Sequence, residues 1–178
     1  SWTDPDAAFL GIKGGSPSSS HGHMDVGTFV YEGNGIRWAV DPGMQDYLSL
    51  EKAGLALWDG AQEADRWRIF RLGPSGHNIL RFDGGPQNVS GFASLQGDGT
   101  GVLLDLTPLY RQKVLSATRR ATLNTDGSLR LEDRWTTSGS SVEVSCQWLT
   151  TAAVETHRDG ALLRQEGKLL RLRVECST

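Results

Sequence analysis

Residues 24–31 (MDVGTFVY) and 36–41 (IRWAVD) are two runs rich in β-branched and aromatic residues, with Glu32-Gly33-Asn34-Gly35 between them. Asn-Gly in that setting is the strongest short-range hairpin signal, because the tight turn needs positive φ values that Asn and Gly tolerate. The signal recurs. Residues 114–123 and 128–136 flank Asn124-Thr125-Asp126-Gly127, and residues 161–165 and 168–175 meet at Glu166-Gly167. Shorter β-rich runs lie at residues 7–13, 66–72, 77–83, 101–106 and 142–150. Residues 66–72 (RWRIFRL) alternate Arg with apolar residues, as a strand with one solvated face does. Residues 44–64 read as a short helix or a packed loop. With 22 glycines and no long helical period between the runs, the expected fold is all-β, an antiparallel β-sandwich.

A length of 178 residues suits one domain with a proper core. The chain opens at Ser1-Trp2 and stops at Cys176-Ser177-Thr178, so we read residues 1–178 as a single β-sandwich domain excised from a larger chain. A net charge of −3 without a polybasic run argues against a nucleic-acid partner. No run of 18 apolar residues is present to span a membrane. Cys146 and Cys176 sit in strand-like runs with no metal-ligand spacing between them. A disulfide and two separate thiols are both compatible with the sequence.

Chemistry concentrates in Ser20-His21-Gly22-His23-Met24-Asp25 and the hairpin after it. Folding the hairpin about Gly33-Asn34 sets Asp41 opposite Asp25 and Val26, at the open end where His23 lies. His77, in Gly76-His77-Asn78, is a further candidate. Two imidazoles and a carboxylate suit Zn2+, with a fourth position left to water or substrate. His21, next to such an ion and facing a cleft, suits acid/base work. The plainer reading is a surface loop that carries histidine, with Asp41 as a turn residue bonding its own backbone. Spacing alone leaves both open. His157 reads as a surface turn residue. Arg66, Arg68 and Arg71 suit either a polyanion or a solvated strand face. Trp38, Trp58, Trp67, Trp135 and Trp148 suit sugar stacking or core packing.

SHGHMDVGTFVYEGNGIRWAVDPGMQDY, preceded by FLGIKGG and followed by GHNILRFDG and Gln87, resembles the signature of the heparinase II/III-like polysaccharide lyases. The specific likeness covers roughly residues 1–90; beyond it only a general β pattern is shared. The family cleaves acidic polysaccharides such as heparan sulfate and alginate by β-elimination. Its members join an N-terminal α-helical toroid to a C-terminal antiparallel β-sandwich, with the active site between them. The resemblance implies that this chain is the sandwich and that its partners are an acidic polysaccharide and the missing toroid. It implies that His23, Asp41 and His77 are zinc ligands, that His21 faces substrate, and that the parent protein is periplasmic or secreted. The family's catalytic Tyr comes from the toroid, and Tyr31 and Tyr47 match only the sandwich motif, so the domain alone is expected to be inactive. The rival expectations are a non-catalytic carbohydrate-binding or metal-stabilised sandwich, and a cupin-like metal enzyme complete in itself.

Overall fold

The structure is a computed structural model and describes residues 3–139 and 141–176; the outermost residues of the 1–178 span lie outside it. The three hairpins form. Strands β1 (Phe9–Ile12), β2 (Phe29–Gly33) and β3 (Ile36–Ala39) make one antiparallel sheet in that order. The β2–β3 turn is Asn34-Gly35 rather than Gly33-Asn34, since Gly33 pairs with Ile36 and both turn residues have positive φ (54° and 71°). A register shift between Tyr31 and Glu32 then pairs Tyr31 with Ala39. The expected pairing of Asp41 with Asp25 therefore does not form, and residues 24–28 turn into β2 instead of extending it.

A helix α1 (Tyr47–Lys52), capped by the Asp46 side chain, follows β3. The expected strand over residues 66–72 is a 3₁₀ turn at Asp65–Arg68 followed by irregular backbone. The alternation of Arg with apolar residues has another cause there. Arg66 and Trp67 are both buried, Arg66 because its guanidinium finds partners inside the loop.

The remaining strands are β4 (Leu80–Phe82), β5 (Leu95–Gly97), β6 (Val102–Asp105), β7 (Ser116–Leu123), β8 (Leu129–Thr136), β9 (Val144–Cys146), β10 (Ala153–His157), β11 (Gly160–Gln165) and β12 (Lys168–Arg173), with helix α2 (Thr107–Tyr110) after β6. Strands β5-β6-β7-β8 form one antiparallel sheet, β10-β11-β12 another, and β4 pairs with β9. His157 ends β10, exposed and opposite Gly160. Both cysteines are free and exposed.

The fold is an all-β sandwich whose core lies between the four-stranded sheet and the others. In one half, Leu80 and Phe82 pack with Leu104, Ala117, Leu109 and Tyr110. In the other, Phe29, Tyr31, Ile36 and Trp38 meet Leu163, Leu123, Leu131 and Leu172. Each fully buried Leu, Ile or Phe among them contributes about 1.5–3 kcal/mol. Two satellite clusters, Leu50-Leu57-Leu72 and Met24-Ala64-Trp67, give the long segment between β3 and β4 a small core of its own. Residues 13–28 before β2, Asp41 just beyond β3 and His77 just before β4 all emerge at one end of this sandwich.

Candidate metal centre and the loop above it

His77 is fully buried, and its Nδ1 lies 2.9 Å from Asp41 Oδ2. Its Nε2 is also buried and has no hydrogen-bond partner among the described residues. A buried polar nitrogen left without a partner costs about 1–3 kcal/mol, so this atom is suited to a bound group. The His23 ring lies beside it, 5.4 Å between centroids. Ligand-type atoms of His23, Asp25 and His77 all fall within 4.8 Å of one another, so the cluster can hold a metal ion. Asp41 meets His77 from the Nδ1 side.

Charge is arranged around the pair. Burial pushes the Asp41 carboxyl up, but hydrogen bonds from His77, the Gly43 amide and Thr28 outweigh it and hold the group below its ordinary value. Partial burial pulls His23 down, with the neighbouring Asp25 opposing and His77 and Lys13 adding to the shift. His23 is thus favoured in the neutral form that a metal requires. Both Asp25 oxygens accept from Lys13 Nζ, at 2.8 and 2.6 Å, so that carboxylate already has a cation.

The backbone under the site is held by three buried polar side chains. Gln87 accepts from the Val26 amide and donates to the Val26 carbonyl and the Tyr110 hydroxyl. Asn78 donates to the Phe29 and Val40 carbonyls and accepts from the Leu149 amide. Arg119 donates to the carbonyls of Gly27 and Asn78 while pairing with Asp133 at 2.8 Å. Asn78 and Gln87 fall within the sequence motifs. Lys13 does too, in FLGIKGG, whereas Arg119 lies outside them, and its one sequence signal is an Arg in the middle of the buried face of β7.

His21 sits apart from this cluster, exposed and with a left-handed backbone (φ 56°). Its ring is parallel to Tyr47 (5.8 Å, 7°) and edge-on to Trp58 (5.7 Å, 82°), and its Nδ1 is 3.3 Å from the Tyr47 hydroxyl. The two histidines of the loop therefore face different surroundings. Arg66 fixes the loop between them by donating to the Gly22 carbonyl at 2.9 Å, with its guanidinium 4.5 Å above the Trp67 ring. Arg71 donates to the carbonyls of Pro42 and Met44, and Arg68 pairs with Asp65. These three arginines are occupied with the loops.

This chain matches the family described as Heparinase II/III-like, C-terminal, over residues 2–177. The chain belongs to that family. The match extends the likeness beyond the first 90 residues to the hairpins of the second half. No curated protein matches the chain. In this heparinase II/III-like domain no helix among the described residues is long and apolar enough to cross a membrane.

Proposed function

We propose that this chain is the β-sandwich part of a polysaccharide lyase that acts by β-elimination on uronate-containing polysaccharides. The observation that carries the reading is the division of the loop: His23 sits against buried His77, while His21, two residues away, is exposed among aromatic side chains. The ion is zinc, held by His23 and His77 with the Asp41 carboxylate. That donor set is one zinc prefers. The Asp41 carboxylate meets His77, 2.9 Å from its Nδ1, whereas Asp25 already carries the Lys13 ammonium. When bound, zinc supplies positive charge that fixes the loop and orients its imidazoles.

The reaction must remove a weakly acidic proton α to a carboxylate and stabilise the enolate charge that develops. His21 faces the substrate and hydrogen-bonds its carboxylate or gives a proton to the departing oxygen, and Tyr47 stands against its Nδ1. The base comes from a helical domain of the parent chain, so the sandwich alone is inactive. The parent is exported to the periplasm or beyond, where such polysaccharides occur.

The test has two arms. Metal analysis of the purified chain should give one zinc per molecule, lost in His23→Ala and His77→Ala. An eliminase assay on alginate and heparan sulfate, read by absorbance of the unsaturated product, should show negligible turnover by the chain alone and full turnover when the helical domain is joined to it. Turnover by the isolated chain that a chelator abolishes would overturn the shared active site in favour of a self-sufficient metal enzyme. Polysaccharide affinity without turnover in the joined protein would make it a binding module.

A further inference from the structure

Five tryptophans are described in the structure, and four of them have a structural occupation. Trp38 is buried and donates to the Gly33 carbonyl. Trp148 donates to the Trp38 carbonyl and meets the edge of Phe29. Trp67 is buried beneath the Arg66 guanidinium, and Trp135 packs edge-on against Phe82. Trp58 differs. It is 61% exposed, yet its orientation is fixed from three sides. Its indole N–H donates to Glu51 Oε1 at 3.1 Å, and its ring stands edge-on to Tyr47 (5.4 Å, 84°) and to His21 (5.7 Å, 82°).

Holding a large indole still in solvent brings little burial. The segment that carries it has its own apolar cluster, Leu50-Leu57-Leu72, in which Trp58 takes no part. An ordered, exposed aromatic beside polar groups is instead the arrangement that binds amphipathic ligands, with the ring covering an apolar face while neighbours meet the hydroxyls. A pyranose has such a face in its axial C–H bonds. The Tyr47 hydroxyl and the His21 imidazole lie within one sugar's reach of the indole.

We propose that Trp58 is a stacking platform for one pyranose of the polysaccharide, making Trp58, Tyr47 and His21 a single sugar subsite on the sandwich side of the cleft. This rests on the lyase reading given above and adds the residue that fixes where the chain lies relative to His21. Glu51 is the positioning residue for the platform. The sandwich domain then binds oligosaccharide without the helical domain.

The test is titration of this chain with an alginate tetrasaccharide, a heparin-derived tetrasaccharide and neutral cellotetraose. It is followed through the indole N–H signals in nuclear magnetic resonance, with the Trp58 signal assigned from Trp58→Phe. At least one uronate oligomer should shift the Trp58 signal saturably. Trp58→Ala should weaken binding tenfold or more, and Trp58→Phe should recover part of the loss. Glu51→Ala, which frees the indole without removing it, should weaken binding severalfold. Undispersed indole signals would reveal a misfolded variant, and Trp58→Phe then carries the comparison. Uronate binding undiminished in Trp58→Ala would overturn the platform and leave the lyase reading standing. Binding of cellotetraose through Trp58 with no uronate binding would keep the platform and overturn the uronate substrate. Binding of none of the three would overturn the platform, and the lyase reading would then stand or fall on turnover by the joined protein.

Discussion

His77 and Asp41, 36 residues apart in sequence, meet through one imidazole nitrogen, while the other nitrogen of the same buried ring has no partner among the described residues. Two strand ends create the contact: β3 ends two residues before Asp41 and β4 begins three residues after His77. If the pair is half of a zinc site, Asp41→Asn removes charge without changing shape. Zinc affinity measured against a competing chelator should fall by roughly 10–100-fold or more, as for loss of a ligand or its hydrogen-bonded partner. His77→Ala should abolish stoichiometric binding. Asp41→Asn with unchanged affinity would remove this carboxylate from the site.

Asp25 poses a separate question, since it is within reach of both imidazoles but is clamped by Lys13. Asp25→Asn alone should weaken zinc, because it leaves the Lys13 ammonium uncompensated near the ion. The double variant Lys13→Met/Asp25→Asn removes both charges and should return affinity to within about tenfold of wild type, the coupling expected of contacting charges. A double variant as poor as His23→Ala would instead make Asp25 a ligand.

Arg119 connects the site to the opposite sheet. Its guanidinium is fully buried, pairs with Asp133 and donates to the Gly27 and Asn78 carbonyls. Arg119→Met leaves Asp133 and two carbonyls without their donors. It should cost about 3–5 kcal/mol in urea unfolding, the range for breaking a buried ion pair by removing one partner. Zinc affinity should fall with it, because Gly27 and Asn78 lie in the two segments that carry His23 and His77. Loss of stability with unchanged zinc affinity would show that the two segments keep their places without it.

The local signals in the chain were legible because their causes are local. Asn34-Gly35 and Glu166-Gly167 adopt the positive φ values their turns require, and the strands beside them form. The register of the first hairpin was not legible, since the shift at Tyr31/Glu32 answers to packing of Tyr31 and Trp38 in the core and not to the turn. Residues 66–72 misled for a related reason. Alternation implies a strand only when the charged face meets solvent, and here Arg66 is turned inward to Gly22. Of the site, the motifs identified His21, His23, Asp41 and His77 as functional candidates. Lys13, Asn78 and Arg119 act through contacts that no spacing encodes.

Tyr110 gives the fold a pH limit. Burial, the largest influence, pushes its phenol up to about 12, and its hydroxyl donates to the Leu80 carbonyl inside the core. The folded state therefore favours the neutral phenol relative to an unfolded value of about 10. The stabilisation is fully present below pH 10 and is lost as the pH rises through 12, an effect of about 3 kcal/mol in all. Tyr110→Phe should flatten the fall in stability between these limits. It should also cost about 1 kcal/mol at neutral pH through the lost hydrogen bond. An equally steep alkaline loss in Tyr110→Phe would assign that limit to other groups.

His21 shows what the exposed side of the loop costs. Its φ of 56° is one that a side chain with a Cβ adopts at roughly 1–2 kcal/mol. Loss of the ring also removes its contacts with Tyr47 and Trp58, so a single substitution mixes two effects. Comparing His21→Gly with His21→Ala separates them. Both lack the ring, but only alanine keeps the strained backbone. Glycine should be the more stable by about 1 kcal/mol, despite its greater freedom when unfolded. In both, oligosaccharide binding should weaken alike, because in the proposed subsite the imidazole and not the backbone meets the sugar. Equal stability of the two variants would mean that the loop relaxes once the ring is gone. The left-handed turn at His21 would then be maintained by its aromatic neighbours, without any fixed demand of the chain between Pro17 and Met24.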